Sequence, residues 1–352
     1  MTSSKEFLCG VIEGFYGRAW SFQTRLLYAD YLASAGLNTY LYCPKSDMYL
    51  RKQWQQHWPL EHWQQLQQLS ARCRERNINW GPGLSPFALY QHYGASERRQ
   101  LKRKLDQMAE LQAPLLAILF DDMPGDLDAL ASRQAEIVCD VIHWVPDTRV
   151  LVCPTYYSYD PVLPKYFGAM PMDYWSQLGR DMPDTVDLFW TGNRVCSDQI
   201  SGADIESINR ELGRRVILWD NYPVNDGAQR RNYIYSTELS GRDSQLCNLR
   251  SGHLCNPMNQ GVLSLPALNG LAHLYGAPGF DDAQLAELLG EATWARLRED
   301  GPLFEVSGLT GMGAQRRREL ASCYAELPGQ AAQEVAGWLR GEYAFDPACL
   351  TD

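Results

Sequence analysis

The sequence lacks the features that define several large classes of protein. It has no run of about 20 apolar residues, the length that a membrane-spanning helix requires. Its first residues, MTSSKEFLCGVIEG, carry one lysine and no apolar stretch of signal-peptide length. We therefore expect a soluble, cytoplasmic protein with no membrane partner.

Cysteine and histidine are present but not in the patterns that bind metals. The cysteines lie without close pairing at positions 9, 43, 73, 139, 153, 196, 247, 255, 323 and 349. Neither a zinc site nor a small disulfide scaffold has this spacing, so we expect reduced and mostly buried thiols. The six histidines form no recognisable ligand cluster either. We predict neither a metal nor a cofactor.

Positive charge is also scarce. The formal net charge of −10 would repel nucleic acid, and no Lys/Arg stripe with interleaved aromatics offsets it. The basic clusters 98–104 and 316–318 lie in helical sequence and are typical of solvated helix faces. We predict no nucleic-acid partner, while the oligomeric state stays open.

Short apolar runs alternate with longer segments of helical period along most of the chain. Eight runs are candidate strands, at Phe7–Ile12, Thr39–Cys43, Ile78–Gly81, Leu115–Phe120, Arg149–Cys153, Val186–Trp190, Val216–Trp219 and His253–Asn256. One helical segment between successive strands indicates parallel βαβ units. Eight such units predict an α/β protein with a (β/α)8 TIM barrel at residues 1–280.

Two alternatives bear on this organisation. An open doubly wound sheet would carry a glycine-rich phosphate loop after its first strand, and Glu13–Arg18 lacks that pattern. After residue 280 the sequence contains helical patterns only. We expect a small C-terminal helical appendage at 281–352, although these helices could equally be decoration packed on the barrel.

Candidate catalytic residues come from the ends of the predicted strands, where TIM barrels place their chemistry. Asp121 and Asp122 follow the apolar run 115–120, so both carboxylates reach the rim of the barrel. Consecutive strand residues point to opposite faces unless the chain turns, so the two acids can address different atoms. Two nearby anions also raise the pKa of one of them, as a general acid requires.

The adjacency of these acids favours a particular scheme. Ordinary glycosidases hold two carboxyls roughly 5 to 9.5 Å apart on separate elements. Neighbouring acids fit better if a 2-acetamido group of the substrate is the nucleophile, with one acid orienting it and the other protonating the leaving oxygen. Aromatic residues near strand ends are compatible with a sugar pocket, namely Phe15, Tyr16, Tyr156, Tyr157, Trp190 and Trp219.

The motifs jointly resemble those of glycoside hydrolase family 84, the O-GlcNAcases and related bacterial β-N-acetylglucosaminidases. The matching segments are GVIEGFYGRAW (10–20), NTYLYCPKSDMYLR (38–51), LKRKLDQ (101–107), FDDMP (120–124), CPTYY (153–157), WTG (190–192), WDNYPVND (219–226) and CNPM (255–258). The resemblance implies a retaining exo-β-N-acetylglucosaminidase that works through an oxazoline intermediate. Its partner would be a glycan or glycoprotein bearing β-linked GlcNAc.

The resemblance also assigns catalytic roles by position. Asp121 would orient the acetamido N–H and balance the charge of the oxazolinium, while Asp122 would act as general acid and then general base. Tyr157 would hydrogen-bond the acetamido oxygen. Asn221 would support the acetamido site beside Asp121.

Sugar recognition would fall to five further residues. The resemblance puts the Gly14 backbone and Lys45 near O3, Asp226 and Asn256 near O4 and O6, and Trp219 on a pocket wall. A neutral sugar still suits charged partners, since hydrogen bonds to charged groups are roughly twice as strong as neutral ones.

Some segments depart from the family, and other functions stay open. Ala19 stands where many members have proline, and 125–127 after FDDMP is unlike the family's loop. The last hundred residues show no convincing resemblance to its accessory regions. An endo-acting, hyaluronidase-like glycosidase and a non-catalytic GlcNAc-binding protein are the alternatives.

Overall fold

A closed barrel of eight parallel strands forms the centre of the molecule. The computed structural model describes residues 6–243, 246, 248 and 250–351, and the findings below concern those residues. The strands are β1 Leu8–Glu13, β2 Thr39–Tyr42, β3 Asn79–Leu84, β4 Leu115–Leu119, β5 Arg149–Cys153, β6 Asp187–Trp190, β7 Val216–Asp220 and β8 Arg250–Cys255. Each pairs with its neighbours in chain order, and β8 closes on β1 through Leu8 beside Gly252.

The predicted fold class is confirmed. Every predicted strand overlaps an observed one, with ends displaced by up to three residues. Strand β4, for example, is buried along its whole length, as a barrel strand covered on both faces requires.

Helices surround the barrel in the described part of the chain. Their bounds are α1 Phe22–Ala35, α2 Leu60–Glu75, α3 Ala95–Ala109, α4 Leu130–Trp144, α5 Val162–Phe167, α6 Tyr174–Asp181, α7 Gly202–Leu212, α8 Leu265–Leu274, α9 Asp282–Leu289, α10 Glu291–Val306, α11 Gly308–Gly311, α12 Ala314–Ala325 and α13 Gln330–Arg340. The Ser21 hydroxyl caps α1 by accepting from Thr24 N–H, and Gly36 ends it in the left-handed conformation. None of the described helices combines the length and apolarity needed to cross a membrane.

The sequence patterns did not predict helices α5 and α8. Helix α5 has only six residues, too few to display a helical period. Helix α8 is buried from Leu265 to Ala272, so it carries no polar face and its pattern is not amphipathic.

The C-terminal helices α9–α13 pack on the barrel and share its hydrophobic core. The Glu334 carboxylate on α13 accepts the N–H groups of Val262 and Leu263 at 3.3 and 3.0 Å. Trp338 Nε1 donates to the Arg231 carbonyl at 3.0 Å. These contacts are compatible with decoration of the barrel, and the domain boundary at 280 stays a prediction.

The described cysteines are mostly buried. Six are buried, Cys196 is partly buried, and Cys139 and Cys323 are exposed. Cys247 lies outside the described residues.

One buried ion pair lies directly under the mouth of the barrel. Glu13 ends β1 with no exposed surface, and Arg25 binds its carboxylate with Nη2 to Oε1 at 2.7 Å and Nε at 3.1 Å. The Tyr40 hydroxyl donates to the same carboxylate at 2.6 Å. Glu13 is therefore satisfied inside the barrel, although it stands at the end of a strand.

Removing Arg25 would leave the Glu13 carboxylate buried without its countercharge. We expect Arg25→Met to lower the free energy of unfolding by about 3 to 5 kcal/mol, measured by urea denaturation. The double variant Arg25→Met/Glu13→Gln should recover part of the loss because it removes the stranded charge. An unchanged midpoint in the single variant would show that the pair does not hold this end of the barrel.

Candidate active site

A cavity opens at the carboxyl ends of the strands, with about 440 Å³ of empty space when the part open to solvent is included. All of the site residues predicted from the sequence line it, namely Gly14, Lys45, Asp121, Asp122, Tyr157, Trp219, Asn221, Asp226 and Asn256. Tyr16, one of the aromatic candidates for a sugar pocket, lines it as well. Residues that the sequence did not assign to the site complete the wall, namely Cys153, Thr191, Val195, Cys196, Val224, Cys349 and Thr351. The barrel thus brings together side chains that are more than 200 residues apart in the chain.

Both adjacent acids face this cavity because the chain turns between them. Asp122 has a φ of 56°, in the left-handed region that few residues other than glycine adopt. This turn ends the strand geometry that would have sent Asp121 and Asp122 to opposite faces. Backbone strain of this kind is commonly found at functional sites.

Two phenols bind the Asp122 carboxylate. The Tyr16 hydroxyl donates to Oδ2 at 2.7 Å, and the Tyr157 hydroxyl donates to Oδ1 at 3.0 Å. Burial, reinforced by the charge of Asp122, raises the pKa of both tyrosines well above the usual value, so they stay protonated donors. Asp122 itself is only partly buried and is open to the cavity.

Asp121 has different surroundings. Its side chain is buried and its Oδ2 forms an ion pair with Lys45 Nζ. Oδ1 is buried and has no hydrogen-bond partner among the described residues. A buried carboxylate oxygen without a donor is costly, so this atom is suited to a ligand that brings an N–H or O–H group.

Amide groups order the opposite wall of the cavity. The Asn221 oxygen accepts from Trp219 Nε1 and from Asn256 Nδ2, both at 3.0 Å, and its Nδ2 donates to the Val195 carbonyl at 2.8 Å. The Asn256 oxygen in turn accepts from Gly14 N–H at 3.2 Å. The bond from Nε1 fixes the orientation of the Trp219 indole, which lines the cavity as a flat, largely apolar surface.

Asp226 is the third carboxylate of the site. Its Oδ2 accepts the Tyr16 N–H at 2.7 Å. Burial raises the pKa of Asp226 to about 6, against the lowering effect of this backbone bond. Tyr16 therefore joins two of the acids, since its N–H binds Asp226 and its hydroxyl binds Asp122.

The aromatic residues near strand ends divide into two groups. Tyr16, Tyr157 and Trp219 line the cavity, as a sugar pocket would require. Phe15, Tyr156 and Trp190 are instead core residues, each at most 1% exposed. Proximity to a strand end did not distinguish the two groups, because it does not fix the direction of a side chain.

One group of donors within the described residues has the composition of a metal site. Asp220, His253 and Cys255 place their ligand atoms within 4.8 Å of one another. Arg242 occupies both Asp220 oxygens at 2.8 Å, and His253 Nε2 lies 2.9 Å from Oδ2. The guanidinium neutralises the only carboxylate, so this buried cluster is a structural network.

Comparisons with known proteins agree with this geometry. A family model described as beta-N-acetylglucosaminidase matches residues 9–288. The protein O-GlcNAcases of Rattus norvegicus and Mus musculus are each 31% identical over 281 residues, which is 77% of this chain and 30% of each relative. The chain thus spans less than a third of these curated relatives. A solved mutant of the Thermobaculum terrenum O-GlcNAc hydrolase superimposes with a TM-score of 0.78 at 26% identity, covering 96% of this chain and 81% of that one.

The close approach of Gly14 to Trp219 yields a direct test of the site. A Cβ at position 14 would lie 2.3 Å from Trp219 Cζ2, far inside contact distance. We expect Gly14→Ala to displace the indole and narrow the cavity, as seen in a crystal structure of the variant. Gly94→Ala is the control, because that glycine is exposed with an ordinary φ of −108°. An unmoved indole in Gly14→Ala would contradict the role of this glycine.

Proposed function

Because the chain belongs to the β-N-acetylglucosaminidase family, glycoside hydrolase family 84, we propose that it removes terminal β-linked GlcNAc with retention of configuration. The substrate would be a glycan or glycoprotein bearing that sugar. The observation that carries the proposal is the pair of adjacent carboxylates in one cavity with different partners. A cytoplasmic location stays a prediction.

Asp121 suits the acetamido group of the substrate. Its unpartnered Oδ1 would accept the acetamido N–H, which orients the amide oxygen toward the anomeric carbon. Attack forms the bond from that oxygen to C1 as the bond from C1 to the leaving oxygen breaks. The Lys45 ammonium compensates the Asp121 charge, and Asp121 in turn stabilises the positive charge that develops on the oxazoline ring.

Asp122 suits the proton transfers. Both of its oxygens accept phenol donors. We expect substrate to draw the Tyr157 hydroxyl from Oδ1 to the acetamido oxygen, so that Oδ1 can hold a proton taken up from solvent. This proton passes to the leaving oxygen as the bond from C1 to that oxygen breaks, and Asp122 becomes a carboxylate. In the second half of the reaction, Asp122 takes a proton from the water that attacks C1 and opens the oxazoline.

The remaining polar residues suit the sugar hydroxyls. Gly14 N–H is already bound to Ile12 O at 2.8 Å and to Asn256, so a hydroxyl near Gly14 would meet its carbonyl instead. Lys45 and Asp226 offer charged partners for O3 and for O4 with O6. Trp219 would pack against the apolar face of the ring.

The shape of the mouth favours an exo-acting enzyme over an endo-acting one. The segment after α13 crosses the rim, with Arg18 over the Tyr343 ring at 5.0 Å, and it ends with Cys349 and Thr351 in the cavity wall. A cavity walled in part by this segment suits a terminal sugar. Release of internal fragments from hyaluronan would favour the endo-acting alternative.

The two acids are tested with an aryl β-GlcNAc substrate. We expect Asp122→Asn and Asp121→Asn each to lower kcat by about 10² to 10⁴-fold, the range for losing acid–base or charge stabilisation. Asp128→Asn, an exposed residue of the same loop, is the control and should keep full activity. Full activity in both active-site variants would refute the roles, and tight GlcNAc binding without hydrolysis by the wild type would favour a binding protein.

Asp226 predicts a pH dependence of substrate binding. Its pKa of about 6 means that it is ionised above that pH, where it accepts hydroxyl hydrogen bonds more strongly. We expect KM to fall as pH rises from 5 to 7, and Asp226→Asn to raise KM and remove this trend. A KM trend that survives in Asp226→Asn would assign the dependence to another group.

The pKa of Asp226 also affects the stability of the fold. Because its pKa in the folded protein lies above the ordinary 3.8, Asp226 favours the folded state most at low pH and loses that contribution as pH rises through about 6.

A further inference from the structure

We propose that Arg51 is a positioning residue for the general acid Asp122, an inference that rests on the proposed function. Arg51 is not among the residues that line the cavity, so it would act through Asp122 and not on the substrate. Arg51 is the last residue of the segment NTYLYCPKSDMYLR, in which only Lys45 was assigned a role, the recognition of the sugar.

The guanidinium of Arg51 bridges the ends of two neighbouring strands. Its Nη2 donates to the backbone carbonyl of Asp122 at 3.0 Å, just beyond β4. Its Nη1 donates to Ser85 Oγ at 2.9 Å, just beyond β3. Arg51 is only 6% exposed and lies 5.5 Å from the Phe87 ring, so packing also fixes its position.

The hydrogen bonds of Arg51 lie next to a strained part of the backbone, the left-handed residue Asp122. The left-handed conformation costs an L-residue roughly 1 to 2 kcal/mol, and Asp tolerates it better than most. A hydrogen bond to the Asp122 carbonyl fixes the peptide plane that follows the turn. A charged donor is also stronger than a neutral one. Arg51 thereby holds the turn that directs the Asp122 side chain toward Tyr16 and Tyr157.

The chemical consequence is selective. A misdirected Asp122 impairs proton donation to the leaving oxygen, while attack by the acetamido group is set by Asp121. Proton donation matters for a 4-methylumbelliferyl leaving group, and it matters little for a 2,4-dinitrophenyl group that departs unaided. The readout is kcat/KM, which reports only the steps up to departure of the leaving group and is not affected by the role of Asp122 as general base in the second half-reaction. The ratio of kcat/KM for the methylumbelliferyl substrate to kcat/KM for the dinitrophenyl substrate therefore reports on proton donation by Asp122. It also separates a positioning role from a general loss of folded enzyme.

The experiment compares Arg51→Met and Arg51→Lys with wild type on both GlcNAc substrates. We expect Arg51→Met to lower kcat/KM for the methylumbelliferyl substrate by about 10 to 10²-fold, a part of the general-acid contribution. The kcat/KM for the dinitrophenyl substrate should change by less than about threefold on the same reasoning. Arg51→Lys should restore part of the loss because it keeps a charged donor. Equal losses on both substrates would overturn the proposal.

Three further variants complete the test. Arg51→Met/Asp122→Asn should be no slower than Asp122→Asn alone, since residues acting through one group are non-additive; additive losses would overturn the proposal. If Asp122→Asn itself is fully active, the proposed function fails instead. Arg149→Met is the matched control, a partly buried arginine at the opposite end of the barrel, and it should leave the substrate ratio unchanged. If Arg51→Met does not fold, Ser85→Ala can be used instead, because it removes the hydroxyl that accepts from Arg51 Nη1. It should lower the ratio of the methylumbelliferyl to the dinitrophenyl kcat/KM. An unchanged ratio in Ser85→Ala would overturn the proposal.

Discussion

The geometry of the site depends on one turn of the backbone. A β-strand sends consecutive side chains to opposite faces, yet the cavity contains the side chains of both Asp121 and Asp122. The left-handed conformation of Asp122 resolves this conflict at the point where β4 ends. The rest of the site follows from it, because each acid then meets a different set of partners.

Those partners also limit the cost of placing three carboxylates around one cavity. Asp121 is paired with Lys45, Asp122 with two phenols, and Asp226 with a backbone N–H. Buried charges of this kind add little stability in themselves, since desolvation offsets their attraction. The free energy that holds them comes from the barrel and its continuous hydrophobic core, which includes the C-terminal helices.

The barrel, and the convergence of the nine candidate residues on one cavity, could be predicted from the sequence because both depend on local order. Apolar runs mark the strands, and parallel strands bring their carboxyl ends to one rim, so motifs at those ends must converge. The remaining features depend on direction and long-range packing. No sequence pattern indicates the hydrogen bond from Tyr16 N–H to Asp226 or the hydrogen bond from Arg51 to the Asp122 carbonyl. Cys349 and Thr351 reach the cavity only because α13 packs where it does.

Cys349 and Thr351 differ from the other cavity residues in their position relative to the family match. All residues proposed to contact the sugar lie within 9–288, the part that matches the family. Cys349 and Thr351 lie beyond it, in the wall of the cavity that also contains Tyr157 and Asp122. The residues proposed to act on the sugar therefore all belong to the part that matches the family, whereas a segment outside the match completes the cavity wall.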